Sequence, residues 1–146
     1  MNKSIWHNPD IDVAALNALQ ARTMAANLGI EVTGFTDATL VARMPVDHRT
    51  LQPHGRLHGG ASVALAETLG SIAANLTLEP GKSIAVGLEI NANHVRPVKD
   101  GFVTATASVE ALGRTTQIWS IRITDSADRL VCISRFTLAV IPATQA

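Results

Sequence analysis

The chain has 146 residues, long enough to bury one core, and 47% of them are apolar against 16% charged; that composition excludes a disordered chain. Twelve Lys+Arg balance 12 Asp+Glu, so no overall charge draws the chain to nucleic acid. Aromatic residues reach only 3%, with no Tyr, which argues against a base-stacking surface and requires an aliphatic core.

The single cysteine, Cys132, rules out an intrachain disulfide and suits the cytoplasm. The first 20 residues lack the continuous apolar run of a signal peptide. No linker, repeat or low-complexity run breaks the sequence, so one domain is expected over residues 1–146.

In chain order, Ile11 to Leu28 carries apolar residues at helical spacing (Leu16, Leu19, Met24, Leu28), and Gly29 suits the end of that helix. Ile30–Thr36 and Thr39–Val46 read as short strands, with Pro45 placing the end of the second at a sheet margin. Asp47 to Gly60 is a loop rich in turn residues. The next segment, Gly59 to Leu78, is the longest apolar-looking stretch, but Glu67, Thr68, Ser71 and Asn75 interrupt it. It reads as a buried helix rather than a membrane span, ended by Pro80–Gly81.

Ser83 to His94 is a strand candidate. Beyond it, Val103, Ala105, Ala107, Val109 and Ala111 alternate with Thr104, Thr106, Ser108 and Glu110, the pattern of a half-buried strand. Trp119, Ile121 and Ile123 repeat the pattern, as do Leu130, Cys132, Ser134, Phe136, Leu138 and Val140. Gly113 and Ser126–Asp128 supply turns. Strand following strand implies an antiparallel sheet. Its apolar face must close on something, and the Gly59–Leu78 helix is the one partner apolar enough. The expected fold is α+β, an antiparallel sheet wrapped around one long central helix, which is a hotdog arrangement.

The chemistry concentrates where loop meets helix. Gly59 and Gly60 allow another molecule close to the backbone. The first N–H groups of a helix have no internal acceptor and carry the positive end of its dipole. A thioester carbonyl placed there would be polarised, with Gly59 the candidate donor; a plain glycine-rich helix entry is the blander alternative. Glu67 lies two turns into an apolar helix, with Ser71 one turn beyond on the same face. A carboxylate buried there is costly without partners, and once desolvated it is a stronger base or nucleophile. A solvated helix edge, or a structural hydrogen bond to a strand, explains it equally well. His54 and His58 are four apart but flanked by Pro and Gly, with no HExxH pattern and no Cys pair, so no metal site is expected. His94-Val95-Arg96-Pro97 and Gly113-Arg114-Thr115-Thr116 place cations and hydroxyls at strand ends, where a phosphate could bind.

Together, Met44-Pro45-Val46-Asp47, Arg49-Thr50, Gln52-Pro53, Gly55, Leu57-His58-Gly59-Gly60-Ala61-Ser62, Ala66-Glu67 and Gly70-Ser71 resemble the hotdog acyl-CoA thioesterases. Within them the chain is most similar to the 1,4-dihydroxy-2-naphthoyl-CoA and enterobactin-proofreading group. Val86 to His94, Leu112-Gly113-Arg114 and Trp119 extend the likeness over nearly the whole chain. The resemblance implies Glu67 as nucleophile or general base. It implies that Gln52 and His58 orient carbonyl and water, that Gly59 N–H polarises the carbonyl, and that Ser71 places water. It further implies a CoA channel lined by Gly87, by His94, Val95, Arg96 and Pro97, and by Leu112, Gly113, Arg114, Thr115 and Thr116. That channel would form between subunits of a homotetramer built as a dimer of dimers. The expected substrate is an acyl-CoA; no cofactor, metal, nucleic acid or membrane is called for. His54 and Arg56 depart from the pattern, since relatives carry an aromatic and an apolar residue there. A hydroxyacyl-thioester dehydratase and a non-enzymatic acyl-CoA-binding protein are the alternatives on the same fold.

Overall fold

The computed structural model describes residues 3–145. Two short helices open the chain, α1 (Val13–Leu19) and α2 (Met24–Leu28). Strands β1 (Glu31–Phe35) and β2 (Thr39–Pro45) lead through a loop into the long helix α3 (Gly59–Leu76). Four strands follow: β3 (Ser83–His94), β4 (Phe102–Leu112), β5 (Thr116–Thr124) and β6 (Leu130–Pro142). All six form one antiparallel sheet in the order β1-β2-β4-β5-β6-β3, so β1 and β3 are its two edges.

The alternating pattern decides which face is buried. Val103, Ala105 and Ala107 of β4, Trp119, Ile121 and Ile123 of β5, and Cys132 and Leu138 of β6 are fully buried. Their odd or even neighbours lie on the more open face. On β4 the alternation stops at a bulge between Val109 and Ala111, beyond which Ala111 and Leu112 are exposed. The Cys132 thiol is buried, and burial pushes its pKa up; it is therefore less nucleophilic than an ordinary thiol.

Helix α3 lies in the concave face and buries Leu65, Ala66, Leu69, Ala73 and Ala74. Small residues let it come close. A side chain at Gly70 would begin 2.7 Å from Phe136 Cδ1, and one at Gly87 would begin 3.0 Å from Phe136 Cζ. The Phe136 ring thus sits in a slot that two glycines keep open. At its far end, α3 is held by a buried polar chain. Trp119 Nε1 donates to Gln117 Oε1 (2.9 Å), Gln117 Nε2 donates to Thr77 Oγ1 (2.9 Å), and Thr77 Oγ1 donates to Ala74 O (2.7 Å).

The N-terminal segment closes the other side of Trp119. Trp6 stacks on it with ring centroids 6.2 Å apart and donates through Nε1 to Thr36 O (2.7 Å). Backbone bonds from Ile5 to Asp37 and from His7 to Leu76 fix that segment. A stacked aromatic pair adds about 0.5–1.5 kcal/mol beyond its buried area.

The single helix expected over Ile11–Leu28 is two helices. After Gln20 the backbone turns, Thr23 takes an extended conformation (ψ 172°) as cap of α2, and its hydroxyl donates to Gln20 O (2.9 Å). A Thr that bonds its own neighbourhood competes with helix continuation. Gly29 does end α2, in the left-handed conformation at φ 72°. Among the described residues no helix is long and apolar enough to cross a membrane.

Two outcomes follow from this packing. Gly70→Ala should destabilise the fold by about 1–3 kcal/mol through overpacking against Phe136. Gly34→Ala, where an added carbon meets nothing within 4 Å, should cost little; denaturant midpoints of the two variants would compare them. The second concerns Asp47, whose carboxylate accepts from Arg49 Nη2 (2.7 Å), Nε (3.1 Å) and backbone N (3.0 Å). Chiefly through that Arg49 side chain, its pKa is held down to about 2. A depressed carboxylate stabilises the fold above its unfolded pKa and loses that contribution as pH falls toward the folded value. The Tm gap between wild type and Asp47→Asn should therefore be full near neutrality and close between about pH 4 and pH 2; a gap that widens with acid would contradict the assignment.

Candidate active site

The loop before α3 is tied at several points. Thr50 is buried, donates through Oγ1 to Pro45 O (2.7 Å), and receives His58 N at its carbonyl (2.8 Å). Leu51 and Leu57 bridge across a tight turn in which Gln52 N donates to Arg56 O (2.7 Å) and Gly55 N to Gln52 O (2.9 Å). Gln52 Oε1 accepts from His54 N, so the side-chain NH2 is left to donate elsewhere. Leu57 N donates to Val98 O (2.8 Å), which joins this loop to the segment after β3.

His58 is the N-cap of α3, and its Nδ1 accepts from Gly60 N (2.8 Å). With Nδ1 occupied as an acceptor, the proton of the neutral ring sits on Nε2. Ala61 N and Ser62 N both point to His58 O. The Gly59 N–H is left without an acceptor among the described residues. His94 packs against this point: a side chain at Gly59 would begin 2.9 Å from His94 Nε2.

Above Gly59 lies an open cleft of about 400 Å³, lined by Gln52, Arg56, Leu57, Gly59, Ser62, His94, Val95, Arg96, Pro97 and Val131. The structure thus brings together Gln52, Gly59 and the whole His94–Pro97 segment. It also adds Arg56 and Ser62. Ser62 lies one turn after Gly59, and that helical spacing was the signal for it.

The remaining expected residues lie elsewhere. His58 lines a second cleft of about 330 Å³ on the other side of the loop, with Met24, Leu28 and Arg49. Ser71 opens on an apolar groove of about 420 Å³ between α1 and the second half of α3, with Leu16, Leu19, Ile72 and Ile84. Glu67 is exposed, not buried as its apolar neighbours allowed. Its Oε1 is 3.1 Å from where a side chain at Gly87 would begin, at the sheet's edge strand. It makes no ion pair among the described residues. Two turns of helix, roughly 12 Å of rise, separate it from Gly59.

Leu112–Thr116 forms the β4–β5 turn, and Thr116 pairs with Ala139 of β6. Val95, by contrast, bonds to Val131 at the opposite end of that strand. The two expected halves of the CoA channel are therefore roughly 26 Å apart along β6. Within one chain they do not meet. Among the described residues no group of three or more His, Cys, Asp or Glu could hold a metal ion.

Comparison with known proteins agrees with this architecture. The family model of the thioesterase superfamily matches residues 54–132, which contain the helix entry, Glu67 and three of the four long strands. The chain is 48% identical over 137 residues to the 1,4-dihydroxy-2-naphthoyl-CoA hydrolase of Escherichia coli, covering 94% of this chain and 99% of that one. It is 48% identical over 136 residues to the proofreading thioesterase EntH of Cronobacter turicensis, covering 93% and 98%. The crystal structure of a thioesterase from Haemophilus influenzae superposes with a TM-score of 0.92 at 50% identity, over 94% of this chain and 95% of that one. In sequence and in fold alike, the chain belongs to the thioesterase superfamily, as a hotdog-fold thioester hydrolase.

Proposed function

We propose that this enzyme hydrolyses acyl-CoA thioesters, aromatic acyl groups such as 1,4-dihydroxy-2-naphthoyl among them, to the free acid and CoA. The observation that carries the reading is the pair of groups α3 presents: an N–H at Gly59 with no acceptor, in an open cleft, and a lone carboxylate at Glu67. The thioester oxygen accepts from Gly59 N–H, with the Gln52 amide beside it. Glu67 then either takes a proton from water as the water adds to the carbonyl carbon, or adds directly to give an anhydride that water opens. In both routes the carbonyl oxygen becomes an oxyanion held by Gly59 N–H. The C–S bond breaks, and the CoA sulfur leaves as thiolate and is protonated. His58 holds the helix entry through its bond from Gly60 N, and Ser71 follows Glu67 by one turn.

The two turns between Gly59 and Glu67 mean that one chain does not set both on one carbonyl. A second copy resolves this. Strand β3 is an edge, Asn75 covers it only at Ala85 (2.9 and 3.1 Å), and Leu88 is 64% exposed at a bulge beside Glu67's neighbour Gly87. An unpaired edge is a template for another strand. Two β3 strands pairing antiparallel about Ile90–Asn91 would lay His94 of the partner subunit opposite Gly87. The helix entry of one chain would then face Glu67 of the other. The same pairing would carry Leu112–Thr116 of one chain toward the His94–Pro97 segment of the other, since Val86 pairs with Ala139 and Ala139 with Thr116. A CoA channel between subunits follows, with Arg96 and Arg114 at the phosphates. We place two such dimers in a homotetramer of single-domain chains acting in the cytoplasm.

Glu67→Gln should lower kcat by a hundredfold or more, on the order of the effect of losing a positioned acid–base, while circular dichroism shows an intact fold; near-normal turnover would remove Glu67 from the chemistry. For the assembly, light scattering at micromolar concentration should report an oligomer, and Leu88→Lys should shift it toward monomer and lower turnover together. A fully active monomer would overturn the shared site.

A further inference from the structure

We propose that Arg56 is a further substrate-binding residue, which with Arg96 makes the Gly59 cleft a receptor for an oxyanion of the substrate. The inference rests on the thioesterase reading and extends it to a residue that departs from the family pattern. Both guanidinium groups line the one cleft, and no Asp or Glu lines it with them. Neither arginine forms an ion pair among the described residues. Arg56 is half-buried, yet among the described residues its guanidinium makes just two long hydrogen bonds of 3.4 Å, from Nη1 to the His54 and Gly55 carbonyls of its own turn. Arg96 uses Nε on Leu130 O at 3.3 Å, which leaves its terminal nitrogens for other acceptors.

Gly59 N–H and the Gln52 NH2, which the thioester oxygen takes, line the same cleft. Ser62 is only 1% exposed, lines this cleft, and its hydroxyl makes no hydrogen bond among the described residues. Two like charges held in one concave site repel unless an anion lies between them, and a planar fork suits phosphate or carboxylate. The oxyanion has two sources, a phosphate of the CoA nucleotide or a carboxylate carried on the acyl group.

Binding read by calorimetry without turnover separates them. The probes are CoA, pantetheine, and a pantetheine thioether ending in a carboxylate. Arg56→Ala should weaken CoA by about fivefold, the upper end for one partly exposed charge contact, and spare pantetheine, if the phosphate is the anion. It should weaken only the carboxylate-bearing thioether if the acyl group supplies it. In either case Arg56→Lys should recover part of the loss, and the loss should shrink as salt is raised. An equal loss on all three probes, or no loss on any, overturns the proposal. Wild type that binds CoA in this way but hydrolyses no thioester would instead overturn the thioesterase reading.

Discussion

The contact between α3 and the Phe136 ring is the constraint on which the rest depends. A helix can lie inside a six-stranded sheet only if its near side is small, and Ala66, Gly70, Ala73 and Ala74 make it so. Gly87 keeps the strand side of the same slot open. Once α3 is seated, its ends are fixed. The C-terminal end is gripped by Thr77, Gln117 and Trp119, and the N-terminal end opens beneath His94. The two groups proposed for the chemistry, Gly59 N–H and Glu67, lie at the two places along α3 that this seating leaves uncovered.

The helix entry shows how little extra machinery that needs. The first N–H of any helix lacks an internal acceptor. Here the cap side chain satisfies Gly60, one residue further in, and leaves Gly59 alone. The loop that delivers His58 is held by Thr50 and by the bond from Leu57 to Val98, so the entry is rigid relative to the end of β3. A preorganised donor stabilises a developing oxyanion without having to reorient at the moment of reaction. Rigidity of the loop and polarity of the cleft are therefore parts of one device.

Much of this was legible in the sequence. Period-two alternation found the buried face of β5 and most of that of β4 and β6, failing at Ala111 beyond the β4 bulge and at Val131, which is buried out of step, and the Ala- and Gly-rich run identified the enclosed helix. What stayed hidden lay in local bonds that periodicity does not register and in distant parts of the chain. The break at Thr23 interrupts an apolar spacing that runs on through it, so periodicity alone saw one helix. Trp6 belongs to no periodic element, and its stacking on Trp119 spans the whole length between them. The exposure of Glu67 could not be read from its neighbours. Val63, Leu65, Ala66 and Leu69 around it are apolar while Thr68 and Ser71 are not, and the position of β3 at the sheet's edge is what leaves this stripe uncovered. The separation of His94–Pro97 from Leu112–Thr116 required the order β5-β6-β3, which no local pattern contains.

Glu67 is a lone carboxylate on an uncovered helix face, and a twelve-residue edge strand with a bare Leu88 is an unfavourable surface to leave in water. The two lie side by side, because Glu67 rests against Gly87. One event, the pairing of two β3 edges, would cover both. It would desolvate Glu67, which strengthens every electrostatic interaction made there, and it would supply the helix entry that one chain cannot bring to its own carboxylate. Asn75 caps β3 at Ala85 and leaves the strand bare beyond it, so the uncovered length begins beside Glu67. On this reading the open edge and the exposed glutamate are two halves of one incomplete site, and assembly is the step that makes the chain a catalyst.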